Sequence, residues 1–160
     1  MKSELNISNL ADYLSLHSRE RPDSPALLHP VKKSFRDMDC DADKYAAGLL
    51  EKGVKQGSMV LIMIPLSYDF FVLTFALVRI GAIMVMIDPG MGLRAMAKAL
   101  KGIHVDVFLG VSKAHLFRML YPGSFLGLRL NIYTDFNPPG SGSGLKDIYS
   151  ETTNKLTYAA

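Results

Sequence analysis

The chain has no tryptophan and only one cysteine, Cys40, among its 160 residues. A single thiol excludes an intramolecular disulfide framework and suits a reducing, cytoplasmic compartment. Cys40 falls in a helical stretch, where it is expected to be a small buried or half-buried residue. No histidine lies near it in sequence to act as a base, so a nucleophilic role is not expected. Strong charge of either sign is also missing. Eighteen Lys and Arg against fifteen Asp and Glu leave a net charge of +3, with no basic face, so nucleic acid is not an expected partner. His29 has no second metal-ligand candidate at useful spacing. The first residues, MKSELNISNLADYL, are polar and mixed in charge, unlike a signal peptide. There is no internal repeat, and no apolar run long enough to span a bilayer without interruption. Residues 70–87 come closest, but Arg79 and the Gly81 break lie inside them and Asp69 just before, so no membrane span is expected.

What the chain does have is centred on residues 59–89. Two short apolar runs, 59–63 and 83–87, are rich in β-branched residues or Met. Between them a longer apolar segment begins near Ser67 and ends at Gly81. This is the pattern of a strand, a crossover helix and a parallel strand, with Gly81 as C-cap and Asp88-Pro89 as the stop. Both strands are apolar throughout, which predicts that both faces of each are covered.

Before this unit, Ser8 is expected to cap a helix through His17 that ends before Arg21-Pro22. A hairpin follows, with one strand at 26–29, a turn from Pro30 to Lys33, and Ser34-Phe35 as the partner strand. A second helix is expected from about Asp37 to Lys52, with an apolar stripe of Met38, Ala42, Tyr45, Ala46 and Leu49. Asp37, Asp39, Asp41 and Asp43 crowd its start and are read as helix-dipole compensation on a wet face, with side chains that do not converge.

After Asp88-Pro89, the run Gly90-Met91-Gly92-Leu93-Arg94-Ala95 matches G-x-G-x-x-A at the start of a helix to about Lys101. A dinucleotide site there would need an acidic residue, for which Asp106 is the only nearby candidate. Otherwise the run is a tight turn whose glycines permit positive φ. Residues 105–109 form a further strand. Ser112 caps a helix carrying Lys113, a surface His115, Leu116 and Met119, and residues 128–133 form a last strand. The stretch from Asn137 to Gly144 is loop by content, and the tail from Leu145 holds at most one short amphipathic turn.

Several of these words resemble the N-terminal part of the adenylate-forming (AMP-binding) ligases. Ser34-Phe35-Arg36-Asp37-Met38 resembles the first core motif, with Phe where Tyr is usual. Residues 49–60, LLEKGVKQGSMV, resemble L-x-x-x-G-V-x-x-G-D-x-V, with Ser58 in place of Asp. Val78-Arg79-Ile80-Gly81-Ala82 through Ile87-Asp88-Pro89 is similar to the second core motif. Residues 87–92 and Lys113-Ala114-His115-Leu116 resemble the branch holding fatty-acid-CoA ligase-like proteins and olefin β-lactone synthetases.

The resemblance implies an α/β fold with a mostly parallel sheet, helices on both faces and an N-terminal β-hairpin. Residues 1–135 would be the α/β subdomain and 136–160 a linker and tail. It also implies a parent enzyme that uses ATP, magnesium and CoA. The family's T-G-x-P-K loop, its aromatic-Gly-x-Thr-Glu word, its ribose-binding Asp and its C-terminal catalytic Lys are not in this sequence. No catalytic, cofactor-binding or metal residue is therefore assigned, and the chain is expected to be inactive alone. Its expected partners are the rest of such a ligase, or further copies of itself through exposed apolar surface. The alternative is a small nucleotide-binding or interaction module that uses the Gly90–Ala95 turn.

Overall fold

The computed structural model describes residues 9–29 and 31–151. The first helix, α1 (Leu10–Glu20), is capped by Asn9, whose side chain accepts from the Ala11 N–H while Asp12 bonds back to the Asn9 N–H. The expected cap, Ser8, lies outside the described residues. Strands β1 (Pro25–Leu27) and β2 (Lys33–Ser34) form the antiparallel hairpin, with Pro25 opposite Ser34. Pro30, in the expected turn, also lies outside the described residues.

Phe35 belongs to the next helix rather than to the hairpin. Helix α2 (Phe35–Glu51) starts two residues early because Ser34 and Asp37 form a reciprocal capping box. The Ser34 N–H that Asp37 accepts holds its carboxyl below the usual carboxylate range.

The central unit has the expected form. Strand β3 (Met59–Met63) leads to α3 (Tyr68–Ile80), and β4 (Ile83–Met86) follows. Ser67 caps α3 through its hydroxyl, and Gly81 closes it at φ +75°, a left-handed conformation that favours glycine. The remaining elements are α4 (Leu93–Leu100), β5 (Val107–Gly110), α5 (Ser112–Leu120), β6 (Leu130–Tyr133) and β7 (Ser143–Gly144).

Five strands make one parallel sheet in the order β4-β3-β5-β6-β7. Alternate residues of β3 serve opposite faces. Val60 and Ile62 join the core beneath α1, α2 and α3, whereas Leu61 packs with Phe108, Met96 of α4 and Phe117 of α5. Helices therefore cover both faces.

Two expectations fail at the sheet's margins. Strand β4 lies at the edge, with Ile83 49% and Met86 62% exposed, instead of being covered throughout. The Pro/Gly/Ser-rich stretch ends in β7, which pairs in parallel with β6. The 3-10 turn Leu145–Ile148 then folds back on α2 and buries Ile148 completely in the core.

The acidic run on α2 also differs from expectation. Asp39 and Asp43 stand four residues apart, which puts them on one face. Both grip the buried guanidinium of Arg79 from α3, Asp43 at 2.8 Å, and the Asp39 carbonyl accepts from it at 2.8 Å. Asp41 accepts from the Tyr68 hydroxyl at 2.6 Å and the Tyr149 hydroxyl at 2.8 Å. Burial, and then the Asp41 carboxylate, hold the Tyr68 phenol well above its ordinary range. Cys40, between these contacts, is exposed rather than buried or half-buried. Among the described residues, no helix is long and apolar enough to cross a membrane.

Candidate functional site

Parallel strands send all their following loops out at one end. Here β3 exits through Ile64-Pro65, β4 through Ile87-Asp88-Pro89, and β5 through Val111. The chain visits β3, crosses to β4 at the edge, and returns past β3 to β5. The strand order thus reverses between β3 and β5. In open α/β sheets this switch point leaves a crevice outside the carboxyl ends of the strands, where ligands bind.

A cavity of about 370 Å³ occupies that position. Its walls come from Met63 at the end of β3 and Pro65 after it, Ile87 after β4, Met96 of α4, and Ala114 and Phe117 of α5. Lys113, in the first turn of α5, is the charged side chain among its lining residues. An apolar cleft with a sparse polar contribution is the usual character of a small-molecule site.

The loop after β4 is shaped by its own side chains. Asp88 accepts from the Gly90 N–H at 2.7 Å and caps a 3-10 turn, Pro89–Met91. Gly92 then opens α4 at φ +84° and ψ 154°, a region open essentially to glycine alone. Gly90 does not have positive φ, so one of the two glycines carries the conformational demand.

The structure does not bring Asp106 to this loop. Asp106 immediately precedes β5, at the amino end of the sheet, whereas Gly90–Ala95 follow β4 at the carboxyl end. There the Asp106 carboxylate accepts from the Met59 N–H at 2.9 Å and from Arg129, with His104 at 3.5 Å. It ties β3, β5 and the approach to β6 together.

The Met59 N–H, then the Arg129 side chain, hold the Asp106 carboxyl below its ordinary value. A depressed native pKa stabilises the fold above the unfolded value of about 3.9, and that contribution disappears as pH falls through the native value. The stability gap between the native chain and Asp106→Asn is therefore expected to be widest near neutrality and to close towards pH 2. Denaturation midpoints measured across that range check this; a gap independent of pH would contradict it.

Two expectations about α5 are corrected. Ser112 is its first helical residue and not its cap, which is Val111; the Ser112 N–H donates to the Asp135 carboxylate after β6 at 2.8 Å. His115 is buried, 1% exposed, rather than at the surface. The crevice itself went unassigned from sequence. The signal that could have found it is positional: Pro65, Ile87 and Val111 each follow the end of an apolar strand.

Among the described residues, no group of three or more His, Cys, Asp or Glu side chains is placed to hold a metal ion. Apolar walls and one ammonium do not match what magnesium and a triphosphate require, namely oxygen ligands and a cluster of donors.

The parallel sheet, with helices on both faces and a switch-point crevice, defines an α/β unit of the doubly wound class. The family described as AMP-binding enzyme matches residues 14–127, more than two-thirds of the chain, and the chain belongs to that family. An olefin beta-lactone synthetase of Stenotrophomonas maltophilia (strain K279a) is 33% identical over 125 residues, covering 70% of this chain and 23% of that protein. The mitochondrial medium-chain acyl-CoA ligase ACSF2 of Danio rerio is 28% identical over 141 residues, 75% of this chain and 23% of that protein. The chain thus spans about a quarter of the length of these relatives. Solved structures share its fold, two of them as follows. Coronafacic acid ligase from Pectobacterium brasiliense superposes with a TM-score of 0.83 at 15% identity, over 94% of this chain and 31% of that one. A benzoate CoA ligase from Burkholderia xenovorans LB400 does so with a TM-score of 0.78 at 14% identity, over 95% and 30%.

Proposed function

We propose that this chain is the first subdomain of an ATP-dependent, AMP-forming acid:CoA ligase-like enzyme, of the fatty-acid or β-lactone-forming type. In that reaction a carboxylate attacks the α-phosphate of ATP, giving an acyl adenylate and pyrophosphate. The acyl group then passes to the CoA thiol or is attacked by a hydroxyl of the same molecule to close a ring, and AMP leaves in either case. The observation that carries the reading is the switch-point crevice in a chain of the AMP-binding family.

On this reading residues 1–135 are the α/β subdomain, 136–160 connect it to the remainder of the enzyme, and the setting is cytoplasmic. The chain supplies an apolar wall and a rigid sheet, not the phosphoryl chemistry. In-line displacement needs donors and a metal placed around the phosphates. The T-G-x-P-K loop that does this in relatives is not in the sequence. ATP–pyrophosphate exchange by this chain, with fatty and aryl acids, is expected to stay at background. Exchange that depends on a carboxylic acid would overturn the expectation that the chain lacks the phosphoryl chemistry.

The exposed Ile83 and Met86 on the β4 edge, with Leu116, Met119 and Leu120 on α5, are surface that the rest of a ligase would cover. Alone, the chain is expected to self-associate as its concentration rises. Sedimentation as a monomer throughout would count against this.

A further inference from the structure

Helix α5 has two working faces. Lys113, Ala114 and Phe117 wall the crevice, while His115 is held against the sheet. The His115 Nε2 lies 3.0 Å from the Ile132 carbonyl oxygen of β6. A carbonyl only accepts, so Nε2 carries the proton and Nδ1 is the basic nitrogen. The ring stacks on Tyr133 at 3.5 Å and 15°, and meets Phe108 edge-on at 4.6 Å. Nδ1 is buried and has no hydrogen-bond partner among the described residues.

We propose that His115 is an acid-released latch: neutral, it clamps the crevice wall α5 onto β5 and β6, and a proton on Nδ1 loosens that wall. The consequence for ligand binding rests on the crevice being the site named above; the latch itself does not.

The groups facing the ring set the direction. The Ile132 and Gly110 carbonyls and the Asp135 carboxylate favour a cation there, and Arg118 opposes it. Loss of water is the largest influence and prevails, so the imidazole is held below its ordinary value. The sign is then fixed. An exposed histidine takes up its proton near pH 6.5, the packed one only at lower pH, so below about 6.5 protons favour the state in which α5 has lifted. One proton taken up on opening makes the opening constant rise by up to about tenfold per pH unit. The rise stops once the packed ring itself titrates.

Amide hydrogen exchange of residues 114–120 between pH 8 and pH 5, corrected for intrinsic rates, tests this without any ligand. The native chain is expected to lose α5 protection by up to about tenfold per unit below pH 6.5, while α2 and α3 change less than about twofold. His115→Gln keeps a donor for the Ile132 carbonyl but does not titrate, and its α5 profile is expected to be flat. His115→Phe, which keeps the ring stack, is expected to be flat as well. A flat native profile, an undiminished slope in either variant, or loosening of α2 and α3 in step would overturn the latch. Failure of the expectation that this chain lacks the phosphoryl chemistry would appear separately, as pyrophosphate exchange that depends on a carboxylic acid.

Discussion

Replacing Arg79 with alanine is expected to destabilise the chain by about 3–5 kcal/mol, the cost of removing one partner from a buried ion pair. The guanidinium is fully buried and bonds to the Asp39 carboxylate and carbonyl, the Asp43 carboxylate and the Ser15 hydroxyl. It therefore joins α1, α2 and α3 on one face of the sheet. Truncation removes the charge that compensates two carboxylates and leaves a cavity beneath α1. A domain of this size has a total stability of about 5–15 kcal/mol, so the loss would be a large part of it. Arg79→Met combined with Asp39→Asn and Asp43→Asn is expected to recover most of the loss, because no uncompensated carboxylate then remains. Urea denaturation of the single and triple variants measures both. An Arg79→Ala cost below about 1 kcal/mol would show that the clamp contributes no more than a surface pair.

Gly48→Ala should reverse the usual sign of a glycine-to-alanine change in a helix interior, which normally stabilises by about 1 kcal/mol. A Cβ at position 48 would sit 2.0 Å from the Ile148 carbonyl oxygen and 2.5 Å from its carbon. Both are backbone atoms, so no rotamer relieves the clash. Either α2 shifts within its packing, or the Leu145–Ile148 turn lifts. Lifting exposes Ile148, now fully buried, at about 1.5–3 kcal/mol, and strains the Tyr149 bond to Asp41. The net expectation is a loss of about 1–2 kcal/mol together with faster proteolysis around residues 143–150. A Gly48→Ala chain more stable than the native one would show that this turn is not held as the structure has it.

Local chemistry was enough for much of the fold. Ser67 and Gly81 mark the ends of α3 through their own hydroxyl and missing side chain, and both fall where expected. The β-branched and Met-rich runs of β3 and β4 begin where expected. The Asp39–Arg79–Asp43 clamp was not legible. It is made across forty residues, and an aspartate at a helix start reads the same whether it compensates the dipole or binds a distant arginine. His115 failed for a related reason. A histidine between Ala114 and Leu116 gives no local sign of which side of α5 meets the sheet.

The sequence by itself determined the family and most of the elements, though not β7. Capping, turn formation and hydrophobic period act over a few residues, and the family's words are local strings such as residues 49–60 and 78–89. Only the tertiary structure decided which strand is an edge, which charges meet, and where a crevice opens. Those depend on the β4-β3-β5-β6-β7 order, which brings residues distant in the chain to one end of the sheet. An apolar strand has the same composition at a sheet's centre as at its rim, so neighbours, not composition, make the difference.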